Sequence, residues 1–341
     1  MKLGMTLRRE LIIDIGSSHT VVVSNRKPHL LRVPSLVSVR NGDFVAASPS
    51  AKGAGRSRKR QDKTILEKIV FPVTHGRVTD EYAMEKLLRE LIRKTGNRWA
   101  FLALRNVGAL LVPPQLEQKE IARLRALLVD VGFGRKYLLQ APLAAAIGCG
   151  LGVDPPLGQM LIDIGGGKTS FAIFSMGDLA AWWQEDFGGR ELDSAIRAYV
   201  EQRYGIEISL EQGEQIKLAV GSAYPMDKPA FIRIEGREQR TDEPKKVSLE
   251  DNEIRDLLVD ACERLILAFQ RGFEDVPPEL AGDIARNGVT MLGGGAMLPG
   301  LSKYLSERTG LCFKLANDPL NASVHGARKI LAGNGSGKLA V

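Results

Sequence analysis

The sequence has few of the residues from which metal centres and disulfide frameworks are built. Its 341 residues include three cysteines and four histidines, scattered along the chain without metal-ligand spacing. This pattern argues against a zinc site or disulfide scaffold and is typical of a reducing cytoplasm. No apolar run approaches the roughly 18 residues needed to cross a bilayer. The first apolar strand also begins too early for a cleavable signal peptide to precede it, so we expect a cytoplasmic chain.

The composition is that of a globular protein with more than one domain. Hydrophobic residues make up 44% and charged residues 26% of the chain, both close to the averages for soluble domains. The net charge of +7 either favours an anionic partner, such as lipid, nucleic acid or nucleotide, or is spread too thinly to matter. The basic stretch 56–63 contains no aromatic residue, so it predicts a solvated loop and no nucleic-acid partner.

The strongest pattern is an internal duplication. Residues 12–24 read IIDIGSSHTVVVS, and residues 161–175, half a chain later, read LIDIGGGKTSFAIFS. Both copies contain I-D-I-G followed by a threonine four residues after the glycine. Each copy predicts a β-hairpin with a short turn of small residues. Two copies at this separation predict two related halves.

The turns of these hairpins have the chemistry of phosphate-binding loops. A third turn of the same kind, Gly293–Gly295, follows the apolar segment TML. Glycine-rich turns let successive backbone N–H groups approach an anion, so opposing hairpins could hold a phosphate chain from both sides. Asp14 and Asp163, which precede the first two turns, are suited to hold the water shell of Mg²⁺. The chain has no Walker A sequence and no strand–GxGxxG–helix unit.

With these motifs the chain resembles the actin–Hsp70–sugar kinase superfamily and, within it, the MreB family of bacterial actin homologues. The resemblance covers about residues 11–332. It implies an α/β, actin-like ATPase fold in which two duplicated RNase H-like lobes with small inserted subdomains flank a nucleotide cleft. It implies lobe I at 1–140 plus 316–333 with an insertion at about 30–75, lobe II at 141–315 with an insertion at about 185–245, and a flexible tail at 334–341.

The resemblance also implies the nucleotide site, with ATP or ADP and Mg²⁺ as cofactors. FGGRELDSAI (187–196) and EQIKLAVGSA (214–223) are similar to the family's segments near the nucleotide. The residues implied are Asp14, Gly16, Ser17 and Ser18 in the first loop, Asp163, Gly165, Gly166, Gly167, Lys168 and Thr169 in the second, Gly188, Gly189 and Asp193, Glu214 and Lys217 beside the adenosine, and Gly293, Gly294 and Gly295.

Two positions depart from the family pattern. Gln140-Ala141-Pro142 stands where the family usually has E-E-P, and Ala141 takes the place of the glutamate that orients the attacking water. Alanine cannot polarise water, so hydrolysis is expected to be weak or lost, with Gln140 as the neighbouring candidate. Lys168 stands where the family usually has threonine. Its charge could neutralise a γ-phosphate or block it, or the side chain could point to solvent.

Residues 96–104 (GNRWAFLAL) lie where the MreB family carries a membrane-inserting loop. Trp99, Phe101 and Leu102, with arginines beside them, predict contact with anionic lipid of the inner membrane. The alternative is that Phe101 and Leu102 begin the next core strand.

The resulting hypothesis is an ATP-binding cytoskeletal protein. We expect it to polymerise into membrane-associated filaments for cell shape or organelle positioning, alone or with a paralogous actin-like protein or membrane morphogenesis proteins. A non-polymerising switch on the same fold and a small-molecule kinase remain alternatives. A kinase needs a catalytic base in the cleft, for which the sequence offers no clear residue.

Overall fold

The computed structural model describes residues 10–25, 30–40, 43–46, 67–95 and 106–333. The basic stretch 56–63, the segment 96–104 and the tail 334–341 lie outside the described residues.

Short segments alternate between strand and helix along both halves of the chain. The strands are β1 Glu10–Ile15, β2 His19–Ser24, β3 Leu30–Pro34, β4 Val37–Arg40, β5 Asp43–Ala46, β6 Glu67–Val70, β7 Val73–Thr74, β8 Arg77–Val78, β9 Val107–Val112, β10 Arg135–Gln140, β11 Gln159–Ile164, β12 Thr169–Ser175, β13 Asp178–Glu185, β14 Ile206–Glu207, β15 Phe231–Glu238, β16 Pro244–Glu250, β17 Val289–Leu292 and β18 Phe313–Leu315. The helices are α1 Glu81–Lys94, α2 Gln118–Asp130, α3 Ala141–Cys149, α4 Gly189–Tyr204, α5 Leu210–Val220, α6 Asp251–Phe273, α7 Pro278–Asn287, α8 Leu301–Thr309 and α9 Ala322–Ala332.

The chain forms two compact units. The first runs to Gly150 and resumes at Asn321, and the second comprises Leu151–Leu320. The first unit therefore extends to Gly150 instead of residue 140, which includes α3, and it resumes at Asn321 instead of residue 316. The reason is its packing: a Cβ on Gly326 of α9 would lie 1.7 Å from the carbonyl oxygen of Ala144 in α3.

Each unit contains a five-stranded sheet with the same topology. The orders are β3-β2-β1-β9-β10 in the first unit and β13-β12-β11-β17-β18 in the second. In both sheets the first three strands are antiparallel neighbours, and the last two continue parallel to the central strand. The duplication predicted from two short motifs is therefore present in whole sheets.

Both faces of the first sheet are buried. Leu11 and Ile13 belong to a core that includes Leu87 of α1, whereas Ile12 belongs to a core that includes Ala327 of α9. Burial on both faces explains why β1 and β9 are nearly continuous apolar runs without polar alternation. The second unit has one large core between its sheet and helices α4 to α8.

The smaller sheets lie near the predicted insertions. Strands β5-β4-β6 form one of them, and β14-β15-β16 form another in the second unit. No helix in the described part of the chain is long and apolar enough to cross a membrane.

Helix α1 shows how local sequence sets the limits of an element. Asp80 precedes the helix, and its Oδ1 accepts a hydrogen bond from the Ala83 N–H at 2.8 Å. Arg93 and Lys94 occupy the last turn, where cations complement the helix dipole. The residues at each end of the segment thus account for the limits of α1 at Glu81 and Lys94.

Candidate functional site

The second glycine hairpin forms a tight turn between β11 and β12. The Gly165 N–H donates to the carbonyl of Lys168 at 2.9 Å, which closes the turn. Thr169 is buried, and its Oγ1 donates to the carbonyl of Phe187 at 2.8 Å. The repeated threonine therefore anchors the hairpin to the chain that leads into α4.

The start of α4 lies directly on this turn. Gly189 and Arg190 donate their N–H groups to the carbonyls of Gly165 and Gly166, at 3.0 and 2.7 Å. A Cβ on Gly188 would lie 2.5 Å from the Gly165 carbonyl oxygen, so only glycine permits this approach. These two amides thus fix the loop instead of facing an anion, although helix N-termini commonly bind phosphate.

The third glycine turn lies on the end of β11. Gly293 has a φ of +87°, and a Cβ there would lie 2.4 Å from Asp163 Oδ1. A Cβ on Gly295 would lie 2.4 Å from Cγ2 of Ile164. The parallel pairing of β11 with β17 produces this arrangement, since both strands end at the same edge of the sheet. Two of the predicted glycine turns therefore come together around Asp163.

Asp163 and Lys168 form the charged part of this loop. Burial raises the pKa of the Asp163 carboxyl, and the positive charge of Lys168 opposes that rise. Lys168 is half-buried, so its side chain does not simply point to solvent. The positive charge of Lys168 thus acts on Asp163, the carboxylate predicted to hold the water shell of Mg²⁺.

A buried ion pair supports the loop from the other side. Lys217 Nζ lies 2.6 Å from Oδ1 of Asp193 and donates to the Gly189 carbonyl at 3.0 Å. Burial raises the pKa of Asp193 to about 6, against the opposing effect of Lys217, while Glu214 raises it further. Arg190 joins the same group, and burial lowers its pKa despite the neighbouring carboxylates.

Sequence reasoning missed Arg190, although its position directly after the Gly188-Gly189 pair is a usable signal. The structure brings together most of the residues predicted for the second unit. They are Asp163, Gly165, Gly166, Gly188, Gly189, Asp193, Lys217, Gly293 and Gly295.

The first hairpin repeats this geometry in the first unit. The Gly16 N–H donates to the carbonyl of His19 at 3.0 Å, as Gly165 does to Lys168. Ser17 is buried, and its Oγ accepts from the Gly76 N–H at 3.0 Å. The hydroxyl oxygens of Thr20 and Ser35 lie 2.8 Å apart in a hydrogen bond. Alignment on the repeated aspartates therefore places His19 at the position of Lys168.

The position where the resemblance implies a catalytic glutamate is the junction of β10 and α3. Gln140 ends the strand, and Ala141 is the first residue of the helix, followed by the buried Pro142. Ala141 packs at the edge of the second core of the first unit. Its side chain is a methyl group without any atom that can polarise water.

Other predicted features have no support in the described residues. Trp99, Phe101 and Leu102 lie outside them. No group of three or more histidine, cysteine, aspartate or glutamate side chains in the described ranges is placed to hold a metal ion.

An open cavity of about 620 Å³ lies between the end of α4 and the β15–β16 hairpin, and its lining contains none of the predicted nucleotide-binding residues.

Two units with the same five-stranded topology, each with a small-residue hairpin after its central strand, define an actin-like fold. A family model described as MreB/Mbl protein matches residues 8–337. The chain belongs to the MreB/Mbl family.

Individual proteins agree with this assignment. The cell shape-determining protein MreB of Escherichia coli (strain K12) is 32% identical over 324 residues, which cover 94% of this chain and 93% of the relative. The crystal structure of MreB5 of Spiroplasma citri bound to ADP has a TM-score of 0.86 at 27% identity, with 95% and 96% of the chains covered. The same protein is also known bound to AMPPNP. A MamK double helical filament matches with a TM-score of 0.76 at 16% identity, over 96% and 99% of the chains, and supports the fold alone.

Proposed function

We propose that this chain binds ATP and ADP and assembles into actin-like filaments that act in cell shape. The observation that carries the proposal is that the third glycine turn and the start of α4 both pack on the second glycine loop, Asp163–Thr169, in the second unit. Membership of the MreB/Mbl family supports it, as does the similarity to MreB5 of Spiroplasma citri, a protein described bound to ADP and to AMPPNP.

The close packing of the glycine turns supports a phosphate site at this end of the sheet. Gly188, Gly293 and Gly295 allow three backbone segments to approach more closely than any side chain would permit. Such side-chain-free turns are where backbone N–H groups can approach phosphate oxygens. In this proposal Gly166, Gly167 and Lys168 of the second loop meet the phosphates, and Ser17 and Ser18 belong to the corresponding loop of the first unit.

Magnesium, when bound, would neutralise part of the phosphate charge. The residues proposed to hold its water shell are Asp14 and Asp163, in keeping with the preference of Mg²⁺ for few direct carboxylates. Asp163 is suited to this role because its carboxylate lies at the end of β11, close against the backbone of Gly293.

The adenosine side is assigned to Glu214 and Lys217. Lys217 is held between Asp193 and the Gly189 carbonyl, so we propose that it positions the start of α4 more than it contacts the base. A Cβ on Gly294 would meet Cδ2 of Leu320 at 3.7 Å, an ordinary van der Waals contact. We assign Gly294 to the adenosine side as well.

Hydrolysis is proposed to be slow. Without a carboxylate at Ala141, the attacking water lacks a group that orients it, and such groups contribute about 10²–10⁴-fold to rates. Gln140, one residue earlier, ends β10 instead of beginning α3, so its side chain leaves the backbone in a different direction.

The association with anionic lipid is proposed on sequence alone. Trp99, Phe101 and Leu102 supply an apolar, partly aromatic segment suited to the headgroup boundary. The test is co-sedimentation with vesicles of neutral lipid or of neutral plus anionic lipid. The triple alanine variant should lose binding to the anionic vesicles, and retention of full binding would contradict the proposal.

The principal experiment combines pelleting, electron microscopy and phosphate release. The full chain is incubated with ATP, with AMPPNP or without nucleotide, each with and without anionic vesicles. Filaments with ATP and little phosphate release are the expected result. Absence of polymer in every condition would contradict self-assembly and favour a nucleotide switch, whereas phosphate transfer to a small molecule would indicate a kinase.

A further inference from the structure

Lys168 occupies a defined position in the second loop. Its carbonyl accepts the hydrogen bond from Gly165 that closes the turn, and the following residue, Thr169, is buried and anchored to the Phe187 carbonyl. The backbone of Lys168 is therefore fixed on both sides. Its half-buried side chain starts from the one loop that also carries Asp163 and the two glycines bonded to the start of α4.

The charge of Lys168 already acts on Asp163. That carboxylate is held under the backbone of Gly293, and the lysine opposes the effect of burial on it. The loop thus contains its own pair of opposite charges at the place where a magnesium shell would be held. A divalent cation near Asp163 would be repelled by this ammonium, while a phosphate would be attracted to it.

The two hairpins are similar in this respect. His19 closes the first turn with its carbonyl, as Lys168 closes the second. At this position Lys168 has a long side chain, and its four methylene groups give its amino group a reach that a threonine hydroxyl lacks. The position therefore combines a backbone fixed by hydrogen bonds with a long cationic side chain.

We propose that the side-chain ammonium of Lys168 binds a nucleotide phosphate in the second phosphate loop. This contact reduces the dependence of nucleotide binding on divalent cations. The inference rests on the proposed nucleotide binding and adds the charge that this loop supplies. The ammonium contacts the phosphate on one side and remains near Asp163 on the other, so part of the neutralisation otherwise assigned to magnesium comes from the chain itself.

The test measures the affinity of the full chain for ATP and ADP by calorimetry, in excess Mg²⁺ and in excess EDTA. The variants are K168T, K168R, which keeps the charge, and K228T, which removes an exposed lysine of the same unit outside the glycine turns. Thermal melting of each variant without nucleotide checks that the fold is retained.

For the unsubstituted chain, the affinity in EDTA should lie within about tenfold of that in Mg²⁺, since one charge-assisted contact is comparable to a tenfold change. K168T should lose about tenfold or more in EDTA but no more than about threefold in Mg²⁺. The nucleotide complex of K168T should also bind Mg²⁺ more tightly than that of the unsubstituted chain, because the repelling ammonium is absent. K168R should restore binding in EDTA, and K228T should match the unsubstituted chain.

Two contrary results have different meanings. Equal losses for K168T in both media, or no loss in EDTA, would overturn the role of Lys168 while leaving nucleotide binding intact. No binding of either nucleotide by the unsubstituted chain, in Mg²⁺ or in EDTA, would overturn the proposed nucleotide site itself and this inference with it.

Discussion

Single glycines determine how closely the segments around Asp163 can pack. A Cβ on Gly188 would lie 2.5 Å from the carbonyl oxygen of Gly165, and a Cβ on Gly293 would lie 2.4 Å from the carbonyl oxygen of Ile164. At Gly293 the positive φ adds a second requirement, because side-chain-bearing residues rarely adopt it. At Gly188 the backbone is extended, so the restriction there is space alone.

Gly188→Ala tests that restriction. The added methyl group should separate the start of α4 from the second loop, with a loss of about 1–3 kcal/mol in the free energy of unfolding. The measurement is urea-induced unfolding followed by circular dichroism. Gly152→Ala is the matched control, because its Cβ would come no closer than 3.8 Å to the nearest atom in Pro155. Equal behaviour of the two variants would contradict the packing described here.

Because the Asp193 carboxyl is buried, we expect the free energy of unfolding to depend on pH. Burial raises the pKa of this carboxyl from the usual 3.8 to about 6 in the folded chain. The folded state therefore holds the proton more tightly, so this group stabilises the fold below pH 4 and loses that contribution as the pH rises to 6. The difference corresponds to about 3 kcal/mol.

The Asp193→Asn variant isolates this effect. Urea unfolding of the unsubstituted chain and of the variant at pH 4 and pH 7 gives the difference in stability at each pH. The unsubstituted chain should lose stability relative to the variant between the two values. A difference that stays constant, or changes in the opposite direction, would show that burial does not raise the pKa of Asp193.

At the scale of elements, α3 and α9 pack through small residues. Cβ atoms on Gly148 and Gly326 would lie 1.9 and 1.7 Å from the carbonyl oxygens of Ala322 and Ala144. The alanines and the glycine of α3 allow its backbone to pack closely against α9, which is distant in the sequence. This contact joins the C-terminal helix to the first unit.

Gly326→Ala should disrupt that contact. We expect a loss of at least about 2 kcal/mol, because the methyl group meets backbone that cannot move aside. Gly282→Ala in α7 is the control with the same substitution in an open position, 3.9 Å from Arg286. That variant should gain about 0.5–1 kcal/mol from the higher helix propensity of alanine. Thermal melting of both variants distinguishes packing from propensity.

At the scale of the whole molecule, the proposed slow hydrolysis has a direct test in Ala141→Glu. Ala141 begins α3, where the helix dipole favours a carboxylate. Phosphate release in the presence of ATP should rise about tenfold or more, and filaments should become shorter-lived. Ala141→Gln, which adds bulk and an amide without the charge, is the control and should remain slow. Unchanged release in Ala141→Glu would mean that the missing carboxylate is not what limits hydrolysis.

The sequence by itself determined the local features of this protein. The repeated I-D-I-G with its threonine predicted two hairpins, because turn formation depends on residues within a few positions of each other. The apolar spacing of α1 and the cap at Asp80 are local signals of the same kind. The glycine turns could likewise be recognised from the short runs of small residues that follow apolar segments.

Only the tertiary structure decided which of these local features meet. Asp163 and Gly293 are far apart in the chain and come together through the parallel pairing of β11 and β17. The partnership of Lys217 with Asp193 and the packing of α3 on α9 depend in the same way on how helices cover the sheets. Such contacts follow from packing between distant segments, and no spacing within either segment encodes the partner.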